Sequence, residues 1–246
     1  MRPERAFFDL QVRFANAAAR IANVPPATAL LDWTNLYVRF GAGRAFDPAH
    51  PVWAAYIHGL VAQATVEEQC AWTWHYLQRC PTHRAAPDIV AAFGCFSYAH
   101  DPHGGLRLHF IARVENGVSP LDLRHSRARR SELRRLIQHV YEHESIGAEF
   151  DVRGTSWLYH LPAYRRLFPD AYLASAKPVA RLRALSLWGQ FLDRHGALRV
   201  SQAEVLLARL ERLERLVHID DIAQCFPSPA LAVRAPIHLF HEYFRE

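Results

Sequence analysis

Apolar positions in the first eighty residues recur at three- and four-residue spacing, the period of a helix with one buried face. Phe7, Leu10, Phe14, Ala17, Ala18 and Ile21 form one such stripe, which Pro25-Pro26 ends. Leu30, Trp33, Leu36, Tyr37 and Phe40 predict a second helix with Gly41 just past its last turn, and a third begins near Pro51 with Trp53, Ile57 and Leu60. Thr65-Val-Glu-Glu68 is a capping box that opens a fourth helix through Trp72, His75, Tyr76 and Arg79. The aromatic crowd on these helices is expected to fill a helical layer rather than line a ligand cage.

At residues 82–87, a short polar loop, the pattern changes. Residues 89–98 and 106–114 are apolar, aromatic and β-branched, and His100-Asp-Pro-His-Gly-Gly105 between them is turn chemistry, so a β-hairpin is predicted. A basic helix follows, with Ser119, Pro120 and Asp122 as its start signals and Gly147 as its stop. Its inner face carries Leu133, Leu136, Ile137, Val140 and Tyr141; its outer face carries Arg130, Arg134, Gln138 and Glu142. The pattern then predicts a strand over 150–158, a short helix over 161–168 stopped by Pro169, and a strand over 180–192. A helix opened by Ser201-Gln-Ala-Glu204, a strand at 231–233 and a helix from Pro236 complete the chain. The expectation is an α+β protein with a helical N-terminal layer packed on a mixed β-sheet with flanking helices. Its division is a helical region over 1–86 and an α+β region over 87–246.

At 246 residues and 50% hydrophobic content, the chain can bury a substantial core. No apolar run approaches the roughly 20 residues that cross a bilayer. The N-terminal segment carries Arg2, Glu4, Arg5, Asp9 and Arg13 rather than a secretory signal, so a cytoplasmic location and no membrane partner are expected. The net charge of +5 is modest, and Lys177 is the only lysine, a pattern of GC-rich coding bias. What counts is local: Arg124, Arg127, Arg129, Arg130, Arg134 and Arg135 stand against Asp122 and Glu132, which leaves +4 in one stretch. The cysteines Cys70, Cys80, Cys95 and Cys225 form no C-x-x-C pair and read as reduced thiols, Cys95 as a small hydrophobe in a strand.

Three stretches invite chemistry. His139-Val-Tyr-Glu142-His143 is an H-x-x-E-H sequence, which on a helix sets two imidazoles one turn apart where both reach one zinc, with a carboxylate as base. Because His143 falls at the edge of the apolar stripe and Glu142 on the arginine side, a solvated helix face is the expected reading, with no metal. Gly41-Ala-Gly-Arg44 follows a helix rather than a strand and lacks the setting of a phosphate loop, and no G-x-S-x-G elbow surrounds Ser156.

The third is the basic helix itself. The order hairpin, helix, strand, short helix, strand over 88–192 resembles the central part of the GNAT acetyltransferase superfamily, over about two-fifths of the chain. His160-Leu-Pro-Ala163 and Ala171-Tyr172 stand at the spacing of that family's Asn-x-x-Ala helix and Gly-Phe pair. The resemblance implies that the pyrophosphate of acetyl-CoA binds at the start of the basic helix. The family's Gln/Arg-x-x-Gly-x-Gly/Ala loop is absent, since residues 124–130 contain no glycine, so the side chains of Arg124, Arg127, Arg129 and Arg130 would replace backbone N–H groups. Leu167 stands where the family has its general-acid tyrosine, which leaves Tyr159, His160 or Tyr164 to carry the proton. The implied function is an acyl-CoA-dependent N-acyltransferase for a small amine or related acceptor, with acyl-CoA as co-substrate. The alternatives are a non-enzymatic phosphate- or nucleic-acid-binding protein using the same arginine-rich helix, and a zinc-dependent hydrolase through the H-x-x-E-H helix.

Overall fold

A computed structural model describes residues 3–81, 88–111, 118–147, 150–179, 182–183, 187–213 and 219–245. The chain forms two compact units: residues 1–85 with 180–229, and residues 86–179 with 230–246. The segment 180–229, grouped with the sheet in the sequence reading, thus belongs with the N-terminal helices. The predicted loop at 82–87 lies outside the described residues.

The helical unit begins with α1 (Arg5–Ala22), α2 (Pro26–Trp33), α3 (Leu36–Arg39), α4 (Pro51–Val61) and α5 (Val66–Arg79). Residues predicted as one helix are split between α2 and α3. The Thr34 hydroxyl turns back to the Leu30 carbonyl, and the Asn35 N–H goes to the side chain of fully buried Gln11, so side chains outcompete the helical ladder there. Thr65 and Glu68 form the capping box that starts α5. Tyr37, Phe40, Trp53 and Tyr56 are buried and lie ring against ring, with Phe40 and Tyr56 centroids 4.6 Å apart, so the aromatic crowd is core. Phe46, stacked on Tyr37, has φ +52°, a conformation that a bulky side chain rarely adopts.

In the sheet unit, the run predicted as one strand over 89–98 folds back on itself. β1 (Ala91–Phe93) and β2 (Phe96–His100) are antiparallel partners joined by Gly94-Cys95, where Gly94 takes φ +61°. β3 (Leu106–Phe110) continues the meander, and the rest of the strand predicted to 114 falls outside the described residues. The basic helix starts later than its sequence signals. Ser119 and Asp122 accept the N–H groups of Leu121 and Arg124, the chain makes a 3-10 turn over Leu123–His125, and α6 (Ser126–His143) begins only after it. It stops at His143, before Gly147. β4 (Asp151–Ser156) leads through a 3-10 turn, Trp157–His160, into α7 (Pro162–Arg165). Pro169 does not end structure but precedes α8 (Asp170–Ala174), because a residue without an N–H costs a helix start nothing. β5 (Lys177–Pro178) follows.

Of the strand predicted over 180–192, Leu187–Phe191 is instead a 3-10 turn that buries Trp188, whose indole N–H donates to the Trp33 carbonyl at 2.9 Å. In α9 (Val200–Glu211), Arg199 precedes the first turn without a side-chain cap, so Ser201 lies inside the helix rather than at its cap. β6 (Leu231–Pro236) and α10 (Ile237–Tyr243) complete the sheet unit.

The six strands run in the order β1-β2-β3-β4-β6-β5, antiparallel except for β3 against β4. One face, with Phe96, Tyr98, Leu106, Leu108, Val152, Val233 and Ala235, is buried with Leu133, Leu136, Ile137 and Val140 of α6 and Ile237 and Phe240 of α10. Each Val, Leu, Ile or Phe side chain among these contributes about 1.5–3 kcal/mol on leaving water. The protein is α+β, a mixed sheet flanked by helices. Among the described residues, no helix is long and apolar enough to cross a membrane.

Candidate functional site

β3 and β4 are neighbours that hydrogen-bond over two residue pairs only, Leu106 with Val152 and Arg107 with Arg153. Beyond these pairs, toward their carboxyl ends, no ladder joins them among the described residues, so the backbone groups of Phe110 and Thr155, which point away from β2 and β6, face a gap. The start of α6 lies at the same end. Glu132, in its first half, accepts the N–H of Cys95, which adjoins the carboxyl end of β3 through the bond from the Ile111 N–H to the Cys95 carbonyl. Glu144, just past its last turn, meets Tyr98 and His100 at the other end. In a parallel pair bridged by a helix, this carboxyl-end opening beside a helix N-terminus is where an elongated anionic ligand finds unpaired amides and a positive dipole together.

The four arginines singled out by sequence have four different surroundings. Arg124 is exposed and bound to its neighbour Asp122 at 3.0 Å, whose carboxyl is held down to about 2 by that side chain and by the Arg124 N–H. Arg127 is exposed on the first turn of α6, which has no side-chain cap. Arg130 donates to the Tyr243 hydroxyl at 2.8 Å and lies over that ring at 4.6 Å. Arg129 turns inward. Only 8% exposed, it pairs with Glu132 at 3.1 Å and touches the Cys95 thiol, and its Nε has no partner among the described residues. A Cβ at Gly94 would collide with the Glu132 carboxylate, so glycine there is what lets this pair seat under the turn. Arg166 was not singled out. Its guanidinium reaches the Leu121 carbonyl at 2.8 Å, ahead of α6, and its only sequence signal is the Arg165-Arg166 doublet after Tyr164.

Tyr159 and Tyr164 are core. Each is 2% exposed, their rings lie 5.1 Å apart, and the Tyr159 hydroxyl shares a 2.9 Å hydrogen bond with that of buried Tyr172. Burial pushes both phenols well above their ordinary range, with the neighbouring tyrosine oxygens adding to it. These hydroxyls fill the space that Gly154 leaves on β4, where a Cβ would stand 2.5 Å from the Tyr172 oxygen. His160, by contrast, is exposed at the end of the 3-10 turn. Phe110 and Tyr164, with centroids 5.2 Å apart, floor the gap on the helix-covered face; on the other face the alternation along β3 and β4 sets His109 and Thr155 beside it. Sequence reasoning missed His109, although the alternation Leu106-Arg-Leu-His-Phe110 separates it from the core residues.

On the H-x-x-E-H turn of α6, the His139 and His143 rings stack at 4.1 Å, the His143 Nδ1 pairs with the His139 carbonyl at 2.9 Å, and Glu142 accepts from Gln138. Two rings laid face to face do not both aim a nitrogen at one point. No group of three or more potential metal ligands converges among the described residues. No family model, curated protein or solved structure matches the chain.

Proposed function

We propose that the sheet unit is an acyl-CoA-dependent N-acyltransferase acting on a small amine. The observation that carries this reading is the parallel β3–β4 pair that parts at its carboxyl ends beside the arginine-flanked start of α6. The amides of an extended pantetheine chain pair with exposed strand edges in the manner of an added strand, and the phosphates fall to the first turn of α6 with Arg127, Arg124 and Arg130. Over β2, β3, α6, β4 and α7 the order hairpin, helix, strand, short helix is the one in which the chain resembles the GNAT superfamily, while Leu187–Phe191, expected within the closing strand, is a 3-10 turn of the helical unit. Proton handling is assigned to imidazole rather than to Tyr159 or Tyr164, because a sealed phenol reaches no acceptor. His109 stands beside the gap to take the proton of the attacking amine, and exposed His160 is the other ring in the region. Four thiols free of disulfides accord with a cytoplasmic setting. Calorimetry with acetyl-CoA tests the reading: one site per chain is expected, weakened about tenfold by Arg127→Ala and unchanged by Arg135→Ala two turns along α6. Absence of heat at millimolar acetyl-CoA rejects it.

A second reading, binding of a polyanion without catalysis, is favoured by the exposed row Arg127, Arg134 and Arg135, none of which has an acidic partner among the described residues. Binding to duplex DNA would then weaken steeply with salt, by about 0.9 in log affinity per decade for each phosphate neutralised, and a flat profile excludes it.

A further inference from the structure

We infer that the helical unit holds a second, separate site, one for a zwitterionic α-amino acid with a large apolar side chain. A cleft of about 590 Å³ is lined by residues of α2 and α4 together with Phe46, Pro48 and Arg183. That volume lies within the roughly 300–1,000 Å³ of small-molecule sites. Its apolar wall is Leu31, Phe46, Trp53 and Ile57, and its polar lining is the Asp32–Arg183 pair with Thr28 and His58.

The head group follows from how that edge is paired. Arg183 gives both Nε, at 2.8 Å, and one terminal nitrogen to a single oxygen of Asp32, so the second carboxylate oxygen and the other terminal nitrogen have no partner among the described residues. Both side chains are partly exposed, at 38% and 23%. An ion of one sign gains little from such an edge, because the pair is already neutral and its like-charged member repels the ion. A zwitterion laid antiparallel to the pair meets both charges, its ammonium on the free Asp32 oxygen and its carboxylate on the free Arg183 nitrogen. The same orientation sends the side chain toward Phe46 and Trp53. Phe46 supplies an independent sign of use: it holds φ +52° while stacked on Tyr37, and strain of this kind in a bulky residue concentrates at ligand clamps.

Calorimetric titration of the full chain with L-phenylalanine, 3-phenylpropanoate, 2-phenylethylamine and glycine separates the contributions. The expected result is one site for phenylalanine in the micromolar to millimolar range, with the carboxylate-only and amine-only analogues weaker by about tenfold or more and glycine silent. Arg183→Gln should weaken phenylalanine by a similar factor and 3-phenylpropanoate with it, while 2-phenylethylamine, whose ammonium meets Asp32, is not weakened. Equal binding of 3-phenylpropanoate overturns the zwitterion assignment. No heat with phenylalanine at about 10 mM overturns the site. Because the ligand series is run on the unmodified protein, neither outcome depends on whether the variant folds, and neither involves acetyl-CoA.

Discussion

Glu132→Ala is the sharpest perturbation of the sheet unit. Glu132 and Arg129 are each about nine-tenths buried at the side chain and 3.1 Å apart, and the second carboxylate oxygen accepts the Cys95 N–H at 3.0 Å. Truncation therefore strands a guanidinium whose Nε already lacks a partner and unpairs a backbone donor in the β1–β2 turn. Breaking a buried pair on one side costs about 3–5 kcal/mol, equivalent to a loss of protection of roughly two to four powers of ten. Hydrogen exchange measured on the peptide spanning β1 and β2 reads this locally, without requiring the two units to unfold together. The comparison that gives the number meaning is Arg129→Met with Glu132→Leu. Removing both charges should return stability to within about 2 kcal/mol of the parent, since apolar residues of similar volume replace a buried pair at little cost. If Glu132→Ala costs less than about 1 kcal/mol, or if the double variant is worse than the single, Arg129 is not held inward by this pair and returns to the list of phosphate ligands.

Gly154→Ala should lose about 2–4 kcal/mol from overpacking and from separating the Tyr159–Tyr172 bond, with part recovered by adding Tyr159→Phe; a urea midpoint unchanged from the parent would contradict the packing described. Stability should also fall in acid through Glu144. The hydrogen bond from His100, with a smaller one from Tyr98, outweighs burial and holds this carboxyl below its ordinary range. Its contribution is therefore full above the unfolded value of about 4.3 and is lost as pH drops through the lower folded value. Thermal midpoints across that acid range should show a shallower fall in His100→Ala, and parallel curves would remove Glu144 from the account.

What the sequence made legible was decided by local rules. The stripe of α1, the box at Thr65 and Glu68, and the inner face of α6 all depend on neighbours within one or two turns, and all are seen. The errors came where a distant partner decided the matter. Gln11 splits α2 from α3, and Glu132 anchors the turn that divides β1 from β2, neither visible from within the segments they alter. Trp188 reads as a strand residue by composition, yet its burial against Phe14 and Phe226 belongs to a helical unit. For the candidate site, the density of charge around α6 was visible while its direction was not. Arg129 and Arg127 are two residues apart on one helix, which is enough to put one inside and the other in water. Tyr159 and Tyr164 stood out only through the resemblance, as substitutes for a general-acid tyrosine, and the glycine that receives their hydroxyls, Gly154, carries no local sign of that role.

The placement of β6 has a consequence for the newborn chain. This strand lies between β4 and β5 in the sheet and pairs with β4 over six residues, yet it is made about 75 residues after β4. At about 5–20 residues per second, the ribosome leaves the outer edge of β4 open for several seconds. During that time β5 has emerged with no strand to join, while the excursion 180–229 is still being threaded out. An open edge of this kind accepts any extended segment within reach, so the correct sheet depends on β4 staying unclaimed until its late neighbour arrives. The Val179 N–H bonded to the Ala230 carbonyl marks the point where the wait ends, closing a loop of some fifty residues at the rim of the finished sheet.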